Sequence, residues 1–421
     1  MQPLIEIAKT AAERIRREDG LIHLVGHYDA DGICSAAIMA IALLNNNKKF
    51  HLIITKDIKK DFIQHLIDCE PKLVIFADIG SGYLADIAAL PCDIIVADHH
   101  ELTTVWSGSD ADRQLVHVNP ELFNSPELAG AGVSYLIGRE LTDDRRLAQL
   151  ALVGSIGDCG DYSLELFVGP GISKDRGLNL FGRFSRQLNT VLEAAGFRNS
   201  IQLLSELGID PRKTLAELND AERQKLTDAL VRERLAADAN IADLFTDVWT
   251  LANRPTELTD AKEFATLLNA VGRMNSAATG IAVCMGSAKA LETAKAIAND
   301  YKRQLATAMG WVSNNPDAVR RTANATYIIA GSAIHPNLIG TVVSILSRNG
   351  DGKPLIGMAT SDEGVKVSAR AADCNINKAI AKAAAAVGGA AGGHAAAAGA
   401  TIPADTEERF LSTCDEYLKS L

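Results

Sequence analysis

Aromatic residues and an excess of basic charge are both scarce in this sequence of 421 residues. Phe, Trp and Tyr make up 5% of the chain, and 42 Lys and Arg stand against 52 Asp and Glu, which gives a formal net charge of −10. A surface built from many stacking rings is not expected, and the composition does not indicate nucleic-acid binding, which usually shows a basic excess. It favours a soluble enzyme acting on a small or metal-bound substrate.

Cysteine pairs and long apolar runs are also missing. The seven cysteines are scattered without a Cys-x-x-Cys pair, which argues against a disulfide framework or a zinc ribbon and for reduced thiols. The longest largely apolar run, residues 33–44, is shorter than the roughly 20 residues of a membrane-spanning helix. The first residues carry mixed charge and lack the apolar centre of a signal peptide. We expect a cytoplasmic protein with no membrane segment.

Short β-branched runs alternate with helix-length segments in the first half of the chain. Such alternation predicts a mostly parallel, doubly wound α/β domain with helices on both faces of its sheet. The predicted strands are residues 21–27, 51–56, 73–80, 92–100 and 114–119. After a glycine-rich segment at 161–183, a charged helical stretch occupies about 186–250. Strand patterns return at 326–331, 354–360 and 364–370 and predict a smaller α/β domain.

Acidic residues and histidines cluster where the predicted strands end. They stand in GHYDADG, FADIG and VADHHE, which follow strands, and in GSIGDCGD, which closes a helical stretch. The candidate residues are His27, Asp29, Asp31, Asp78, Asp98, His99, His100 and Asp158. Sites in open parallel sheets form beyond the carboxyl ends of the strands, so we expect these residues to meet in one crevice. One such aspartate is commonly a helix cap, whereas capping does not explain four clusters.

The charge of this constellation indicates bound cations. Several carboxylates cannot stay ionised together in a cleft unless cations lie between them. Mixed carboxylate and imidazole ligands suit Mn²⁺ and, less distinctively, Mg²⁺, Fe²⁺ or Zn²⁺. Two ions about 4 Å apart, bridged by a shared carboxylate, would stabilise both the attacking and the leaving oxygen of a phosphoryl transfer.

The four segments resemble the four motifs of the DHH phosphoesterase superfamily. Three further segments extend the resemblance. LNAVGRMNSAATG (268–280) is similar to the asparagine–glycine–arginine element of RecJ-type nucleases, and LAGAGVSYL (128–136) resembles another RecJ-type helix. GGHAAAAGA (392–400) resembles the glycine–histidine signature of the DHHA1 domain, with Arg370 in its upstream partner segment.

The resemblance implies two Mn²⁺ ions per active site, with Mg²⁺ as the other possible metal. The implied ligands of one ion are His27, Asp29 and Asp78. The implied ligands of the other ion are Asp31, Asp78, His99 and Asp158. Asp78 would bridge the two ions, and Asp98 would orient a neighbouring imidazole. His100 would contact the scissile phosphate and protonate the leaving oxygen.

The DHHA1-like segment offers contacts for a polyanion in spite of the acidic composition. Glycines such as Gly392 and Gly393 allow the backbone to approach a phosphate closely, with amide hydrogens as donors. His394 and Arg370 would add charge-assisted contacts, and Arg273 is expected to reach the same cleft. The alternative, a flexible Ala/Gly linker at 381–400, fits less well because a histidine stands directly beside the paired glycines.

The resemblance also implies a domain order, with the active-site cleft between the DHH and DHHA1 domains. The expected parts are a DHH catalytic domain at 1–170, a helical insert at 171–255, the end of the DHH domain at 256–285, a connecting helix at 286–320 and a DHHA1 substrate-binding domain at 321–421. The expected function is a metal-dependent exonuclease that hydrolyses phosphodiester bonds of single-stranded DNA or RNA by a two-metal mechanism, in DNA replication or repair.

Two alternatives stay open at this point. One is a nanoRNase or 3′-phosphoadenosine 5′-phosphate phosphatase, which shares both domains. The other is a non-catalytic replication scaffold that binds the GINS complex; GINS is also a possible partner of an active nuclease of this type. Degenerate scaffold members lose metal ligands, whereas all eight candidate positions are acidic or histidine here.

Overall fold

A computed structural model describes residues 1–102, 114–123, 125, 127–158, 160, 162–348 and 352–419, without the side chains of Arg348 and His394. The chain forms two compact units, Met1–Lys295 and Ala296–Leu421. The division falls inside one long helix, Ala288–Asn314, and therefore within the connecting segment predicted at 286–320. Within the described ranges, no helix combines the length and the apolar character needed to cross a membrane.

Five parallel strands form the main sheet of the first unit in the order β2-β1-β3-β4-β5. They are β1 (Leu21–His27), β2 (Lys49–Thr55), β3 (Leu73–Ala77), β4 (Asp93–Ala97) and β5 (Leu115–Val118). β3 is buried along its whole length and β4 nearly so, as expected of a parallel sheet covered on both faces. The strand order reverses between β1 and β3, and ligands bind at such a switch point in open α/β sheets.

Six α-helices in the described residues up to 158 accompany this sheet. They are α1 (Gln2–Arg17), α2 (Ala30–Asn45), α3 (Lys60–Asp68), α4 (Leu84–Ile87), α5 (Gly130–Leu141) and α6 (Arg146–Asp158). α2 is buried from Ala30 to Leu43 because it packs against β1, α5 and α6 together. The loop between β1 and α2 is therefore anchored by elements on several sides, which fixes the positions of the residues that it carries.

The segment between α6 and the last helices of the first unit is a mixed α/β insert. Its helices are α7 (Leu188–Ala194), α8 (Ser200–Leu207) and α9 (Asp220–Ala236), and its strands are β6 (Ile172–Leu178) and β7 (Phe245–Leu251). The strands pair in an antiparallel ribbon, so the segment predicted as a helical insert contains a strand pair as well as its helices. β6 reads Ile-Ser-Lys-Asp-Arg-Gly-Leu and exposes most of its residues, so it lacks the apolar alternation by which strands are recognised.

The first unit ends with α10 (Ala261–Arg273), α11 (Ala277–Cys284) and the start of α12 (Ala288–Asn314). The second unit is a six-stranded sheet in the order β12-β13-β11-β10-β9-β8 with three helices. Its strands are β8 (Val319–Arg321), β9 (Thr326–Ile329), β10 (Leu355–Ser361), β11 (Gly364–Arg370), β12 (Ala390–His394) and β13 (Ala397–Ile402). Its helices are α13 (Pro336–Arg348), α14 (Ile376–Ala386) and α15 (Glu407–Leu418).

The predicted fold class is confirmed by this architecture. A parallel sheet organises the first unit, and a separate, smaller α/β sheet organises the second. The Ala/Gly-rich stretch at 381–400 is not a linker: it contains the end of α14, all of β12 and the start of β13. Alanine and glycine have little strand preference of their own. These strands form because β13 pairs with β11 and β12, and because α14 packs against the sheet.

Candidate metal centre

The eight candidate acids and histidines meet at the carboxyl edge of the parallel sheet. Three segments leave β1, β3 and β4 next to the switch point, and the fourth is the end of α6. The residues brought together are His27, Asp29, Asp31, Asp78, Asp98, His99, His100 and Asp158. The expectation that these segments share one crevice is therefore met by the geometry of the first unit.

Asp78 lies at the centre of the cluster. Its Oδ2 is 3.5 Å from His27 Nδ1, and its Oδ1 is 3.4 Å from His99 Nε2. Its backbone has φ 61°, in the left-handed region that aspartate tolerates better than most residues, and its amide donates to the carbonyl of Ala97 at 2.8 Å. This conformation turns the chain out of β3 and places one carboxylate between two imidazoles.

Asp31 is held by the start of α5. Its two carboxylate oxygens accept hydrogen bonds from the backbone amides of Gly130 and Ala131 at 2.7 and 2.9 Å, where the helix dipole favours negative charge. Burial and the nearby charge of Asp78 nevertheless raise the pKa of Asp31 well above its usual value. Two buried carboxylates whose charges repel each other need a compensating positive charge.

Three buried polar atoms of the cluster have no hydrogen-bond partner among the described residues: His27 Nδ1, Asp78 Oδ1 and His99 Nε2. Unpaired buried polar atoms are costly, and here they lie together. Three sets of possible metal-ligand atoms each lie within 4.8 Å of one another. The sets are His27, Asp29 and Asp78; Asp31, His99 and Asp158; and Asp78, Asp98, His99 and His100. Carboxylate and imidazole donors in this arrangement fit divalent cations.

Asp98 and His100 form an ion pair at the rim of the cluster. Asp98 Oδ1 is 2.7 Å from His100 Nδ1, and Asp98 also accepts hydrogen bonds from the amides of Ser81 and His99, each at 2.8 Å. Burial disfavours both charges, but their mutual attraction outweighs it: the pKa of Asp98 falls far below its usual range, and the pKa of His100 rises to about 10. The pair fixes the imidazole and leaves its Nε2 on the other side of the ring.

A buried hydrogen-bond network supports this pair, and the sequence did not reveal it. Asn119 Nδ2 donates to the His100 carbonyl and to Ser81 Oγ, both at 3.0 Å. Ser81 Oγ lies 2.9 Å from His117 Nε2. Ser81 follows β3, whereas His117 and Asn119 stand at the end of β5, so only the strand order brings them together.

Tyr162 is a further residue that the sequence patterns did not indicate. Its hydroxyl donates to Asp158 Oδ2 and lies 3.3 Å from His99 Nδ1, so it touches two members of the cluster. Burial, followed by the charge of Asp158, raises the pKa of Tyr162, which keeps the hydroxyl protonated as a donor. Tyr162 stands four residues after Asp158 outside any helix, and no periodic pattern points to it.

The asparagine–glycine–arginine segment braces the cluster from α10. Asn269 Oδ1 accepts from the amide of Ala30, and its Nδ2 donates to the carbonyl of Gly157, both at 3.1 Å. A Cβ on Gly272 would lie 2.0 Å from the carbonyl oxygen of Tyr28, so this close approach requires glycine. Arg273, the residue singled out from the sequence, ends α10 and is partly buried.

The candidate substrate-binding residues of the second unit lie on three neighbouring strands. Arg370 ends β11 opposite Ala397 of β13, which is in turn opposite His394 of β12. Gly392 and Gly393 are exposed on β12. Gly393 has φ 140°, and a Cβ there would lie 2.4 Å from the Ala397 carbonyl, whereas Gly392 faces open space. The predicted role of the His394 side chain lies outside the described residues.

Comparison with known protein families agrees with both units. Residues 21–155 match the DHH family, N-terminal domain, and residues 323–420 match the DHHA1 domain. The chain is 28% identical over 457 residues to the uncharacterized protein MJ0831 of Methanocaldococcus jannaschii, covering 99% of this chain and 98% of that protein.

Similarity to RecJ appears in both sequence and structure. The single-stranded-DNA-specific exonuclease RecJ of Bacillus subtilis is 29% identical over 170 residues, which cover 36% of this chain and 21% of RecJ. RecJ of Thermus thermophilus in complex with Mn²⁺ has a TM-score of 0.62 at 18% identity, covering 99% of this chain and 55% of the RecJ chain. This chain thus spans about half the length of that RecJ, and the structural likeness establishes the shared fold.

Proposed function

Because the chain belongs to the DHH–DHHA1 phosphoesterase superfamily as a RecJ-like member, we propose that it is a metal-dependent exonuclease. It hydrolyses phosphodiester bonds of single-stranded DNA or RNA from an end, in replication or repair in the cytoplasm. The observation that carries the proposal is the buried cluster of carboxylates and imidazoles at the sheet switch point, with three polar atoms that lack hydrogen-bond partners among the described residues. Such a cluster suits a hydrolase that uses divalent cations.

We assign two cation sites that share Asp78. The ligands of the first are His27, Asp29 and Asp78. The ligands of the second are Asp31, Asp78, His99 and Asp158. Mn²⁺ or Mg²⁺ bound there would neutralise charge on the phosphate and lower the pKa of a nucleophilic water. The surrounding chain holds these ligands in place through the α5 amides on Asp31 and through Asn269, which bridges the start of α2 and the end of α6.

Within this proposal, His100 acts on the leaving group. Asp98 binds its Nδ1 at 2.7 Å, which sets the ring orientation and leaves Nε2 for the substrate. Nε2 contacts the scissile phosphate and donates a proton to the leaving oxygen, which is the role of a general acid. The Asn119–Ser81 network fixes the backbone beneath this pair, so the imidazole is positioned before substrate binds.

In this proposal, the second unit contacts substrate phosphates other than the scissile one. Arg370 and His394 stand in register across β11, β13 and β12, and Gly392 and Gly393 are exposed on the outer strand. Guanidinium groups and amides of this kind bind phosphate oxygens. We propose that these residues, with Arg273 of the first unit, hold phosphates that flank the scissile one.

Removing the Tyr162 hydroxyl should slow hydrolysis without abolishing it. Tyr162→Phe loses the hydrogen bond to Asp158 and the contact to His99, and one such bond to a charged group contributes about 1.5–3 kcal/mol. We therefore expect kcat to fall by roughly tenfold to a hundredfold. Tyr135→Phe is the matched control, because Tyr135 packs against Phe167 through its ring. Equal turnover of the two variants would contradict the positioning role of Tyr162.

Arg370 should matter for long substrates and not for short ones. Arg370→Ala removes a flanking-phosphate contact, so kcat/KM on an oligonucleotide should fall by roughly tenfold to a hundredfold. Turnover of a small aryl phosphodiester, which has no flanking phosphate, should stay near wild type. Arg409→Ala, at an exposed position on α15, is the matched control. Equal losses on both substrates would place Arg370 at the scissile phosphate and refute its proposed contact with a flanking phosphate.

We also propose that the insert binds a replication partner such as the GINS complex. The insert has its own hydrophobic cluster, which packs residues such as Leu188, Leu204 and Leu226 independently of the metal centre. The insert is attached through the two-stranded ribbon and through hydrogen bonds from the amides of Gly182 and Arg183 to Glu263 of α10. A module with a core of its own and so few attachments is suited to a partner-binding role.

Deleting the insert should separate partner binding from hydrolysis. Leu178 and Phe245 face each other in the β6–β7 ribbon, so residues 179–244 can be replaced by a short Asn-Gly turn that closes a hairpin. The same chain carries Glu263→Leu, because this buried carboxylate otherwise loses its donors Gly182 and Arg183. The shortened chain should retain metal-dependent hydrolysis and lose binding to GINS in a pull-down with purified components. Loss of hydrolysis in a shortened chain with native circular dichroism would show instead that the insert belongs to the catalytic machinery.

A further inference from the structure

The first unit contains a cavity of about 430 Å³ that the proposed reaction does not use. We call it the arginine pocket. Its walls come from the start of α6, residues 170–171, residues 252–258 and the turn between α11 and α12. The residues that define it for the argument are Arg145, Arg146, Gln149, Arg254 and Ser287.

The arginine pocket is positively charged in an acidic protein. Its lining includes three arginines and no Asp or Glu among the described residues, although the chain carries a net charge of −10. Arg146 is already neutralised by Asp144 at 2.6 Å. Arg145 is exposed, and within the described part of the chain neither it nor Arg254 has a carboxylate at ion-pair distance. The pocket therefore has two positive charges that no acidic side chain balances there.

Arg254 is the more telling of these two charges because it is largely buried. Its Nε donates to Gln149 Oε1 at 2.8 Å, and its guanidinium lies over the ring of Phe264 at 5.8 Å. Its Nη2 is enclosed without a hydrogen-bond partner among the described residues. Burial lowers the pKa of Arg254, as expected of a cation that has left water without gaining a carboxylate. An anion in the adjoining cavity would supply the missing charge.

The walls of the pocket are fixed in advance of any ligand. Gln149 Nε2 donates to the carbonyls of Gly171 and Ala252 at 3.1 and 3.0 Å, and the Ala252 amide donates to Gly171 at 2.9 Å. Ser287, which also lines the cavity, accepts a hydrogen bond from the amide of Ala290 at its Oγ, which places the N-terminus of the long helix α12 at the cavity. The positive end of its dipole adds to the arginine charges.

The size and the remaining lining indicate the kind of anion. Leu258, Val283 and Leu291 form an apolar part of the wall. A volume of about 430 Å³ lies in the range of sites for small organic molecules and exceeds what a single phosphate ion fills. The pocket is also separate from the metal centre, since Gln149 and Asp158 are nine residues apart on α6, or roughly 13 Å of helix.

We propose that the arginine pocket is a binding site for a small organic phosphate of the nucleoside monophosphate class. Arg145 and Arg254 balance the phosphate charge, and the leucine and valine side chains contact the organic part. The site needs neither a metal ion nor the proposed nuclease activity.

Calorimetric titration of adenosine 5′-monophosphate into the full chain tests this site. EDTA is present so that cations take no part. Arg145→Gln and Arg254→Gln should each weaken binding by about tenfold or more, as expected for loss of a charge-assisted contact. Arg17→Gln, an exposed arginine of α1, and Arg370→Ala, which removes the contact proposed in the second unit, should bind like the wild type.

Two further probes separate the phosphate from the organic part. Adenosine, which lacks the charge, should give no heat of binding, and inorganic phosphate should bind more weakly than the monophosphate. Absence of monophosphate binding at millimolar concentration would overturn the proposal. So would unchanged affinity in Arg145→Gln, which decides the matter even if Arg254→Gln fails to fold, or loss of binding in Arg370→Ala alone.

Discussion

Replacing Asp78 by alanine should abolish hydrolysis of every phosphodiester substrate while the chain stays folded. Asp78 stands between His27 and His99 at 3.5 and 3.4 Å, so its loss removes the carboxylate that both proposed cation sites share. Loss of a catalytic cation typically removes several kcal/mol of transition-state stabilisation. Folding should survive, because removal of one acid from a crowded cluster relieves repulsion in the metal-free protein.

Thermal unfolding with and without Mn²⁺ measures cation binding, and its loss in Asp78→Ala, independently of catalysis. A cation at about 100 times its Kd stabilises the native state by about 2.7 kcal/mol, which raises Tm by several degrees. We expect this shift in the wild type and in the control Asp19→Ala, whose side chain is fully exposed. Asp78→Ala should lose most of it. Near-wild-type turnover of Asp78→Ala with added Mn²⁺ would contradict the shared-ligand assignment.

A single methyl group at Gly130 should be nearly as damaging. An added Cβ there would lie 2.3 Å from Asp78 Oδ1 and 2.6 Å from Asp78 Cβ, so the carboxylate or the start of α5 must move. The backbone amide of Gly130 also donates to the Asp31 carboxylate at 2.7 Å. Asp31 and Asp78 would therefore both shift. A displacement of about 1 Å in a catalytic group can cost a hundredfold in rate, and we expect at least that loss for Gly130→Ala.

Helix propensity alone predicts that Gly130→Ala stabilises the folded chain. Alanine is about 1 kcal/mol better than glycine within a helix, whereas overpacking costs about 1–3 kcal/mol. Gly310→Ala in α12 is the matched control, because a Cβ there meets nothing within 4 Å, and it should be neutral or stabilising. Activity and Mn²⁺-dependent Tm should be measured for both. Wild-type activity in Gly130→Ala would show that the Asp78 position is not critical.

The strands of the main sheet were predictable because both of their faces are buried. β3 and β4 read as continuous apolar runs, and the predictions differ from the structure mainly at their ends. The predicted strand 73–80 stops at Ala77 because Asp78 turns into the left-handed region. The predicted strand 92–100 stops at Ala97 because Asp98 accepts hydrogen bonds from the next two amides.

Elements outside that sheet were less predictable for two physical reasons. β6 is a charged ribbon strand that exposes most of its residues, so hydrophobic periodicity gives no signal. β12 consists of Ala, Gly and His, residues that form a strand there because they pair with β13. In both cases the tertiary partner determines the secondary structure.

The residues of the candidate site likewise fall into a group that the sequence predicted and a group that it did not. Its acids and histidines follow strands or close a helix, so the parallel topology alone predicted that they would meet. Tyr162 contacts His99, and Asn119 contacts the His100 carbonyl, through side-chain hydrogen bonds between segments that lie apart in the sequence. Such contacts depend on the three-dimensional path of the chain, and no local pattern encodes them.

Product analysis on end-labelled substrates tests the central proposal most directly. Single-stranded DNA, single-stranded RNA, duplex DNA and a dinucleotide are incubated with the full chain in Mn²⁺, in EDTA, and with Asp78→Ala. The account predicts stepwise shortening of single strands from one end in Mn²⁺ alone, with duplexes resistant and Asp78→Ala inactive. Cleavage confined to the dinucleotide would indicate a nanoRNase. No hydrolysis of any substrate by a chain that Mn²⁺ stabilises would contradict the exonuclease and indicate a non-catalytic scaffold.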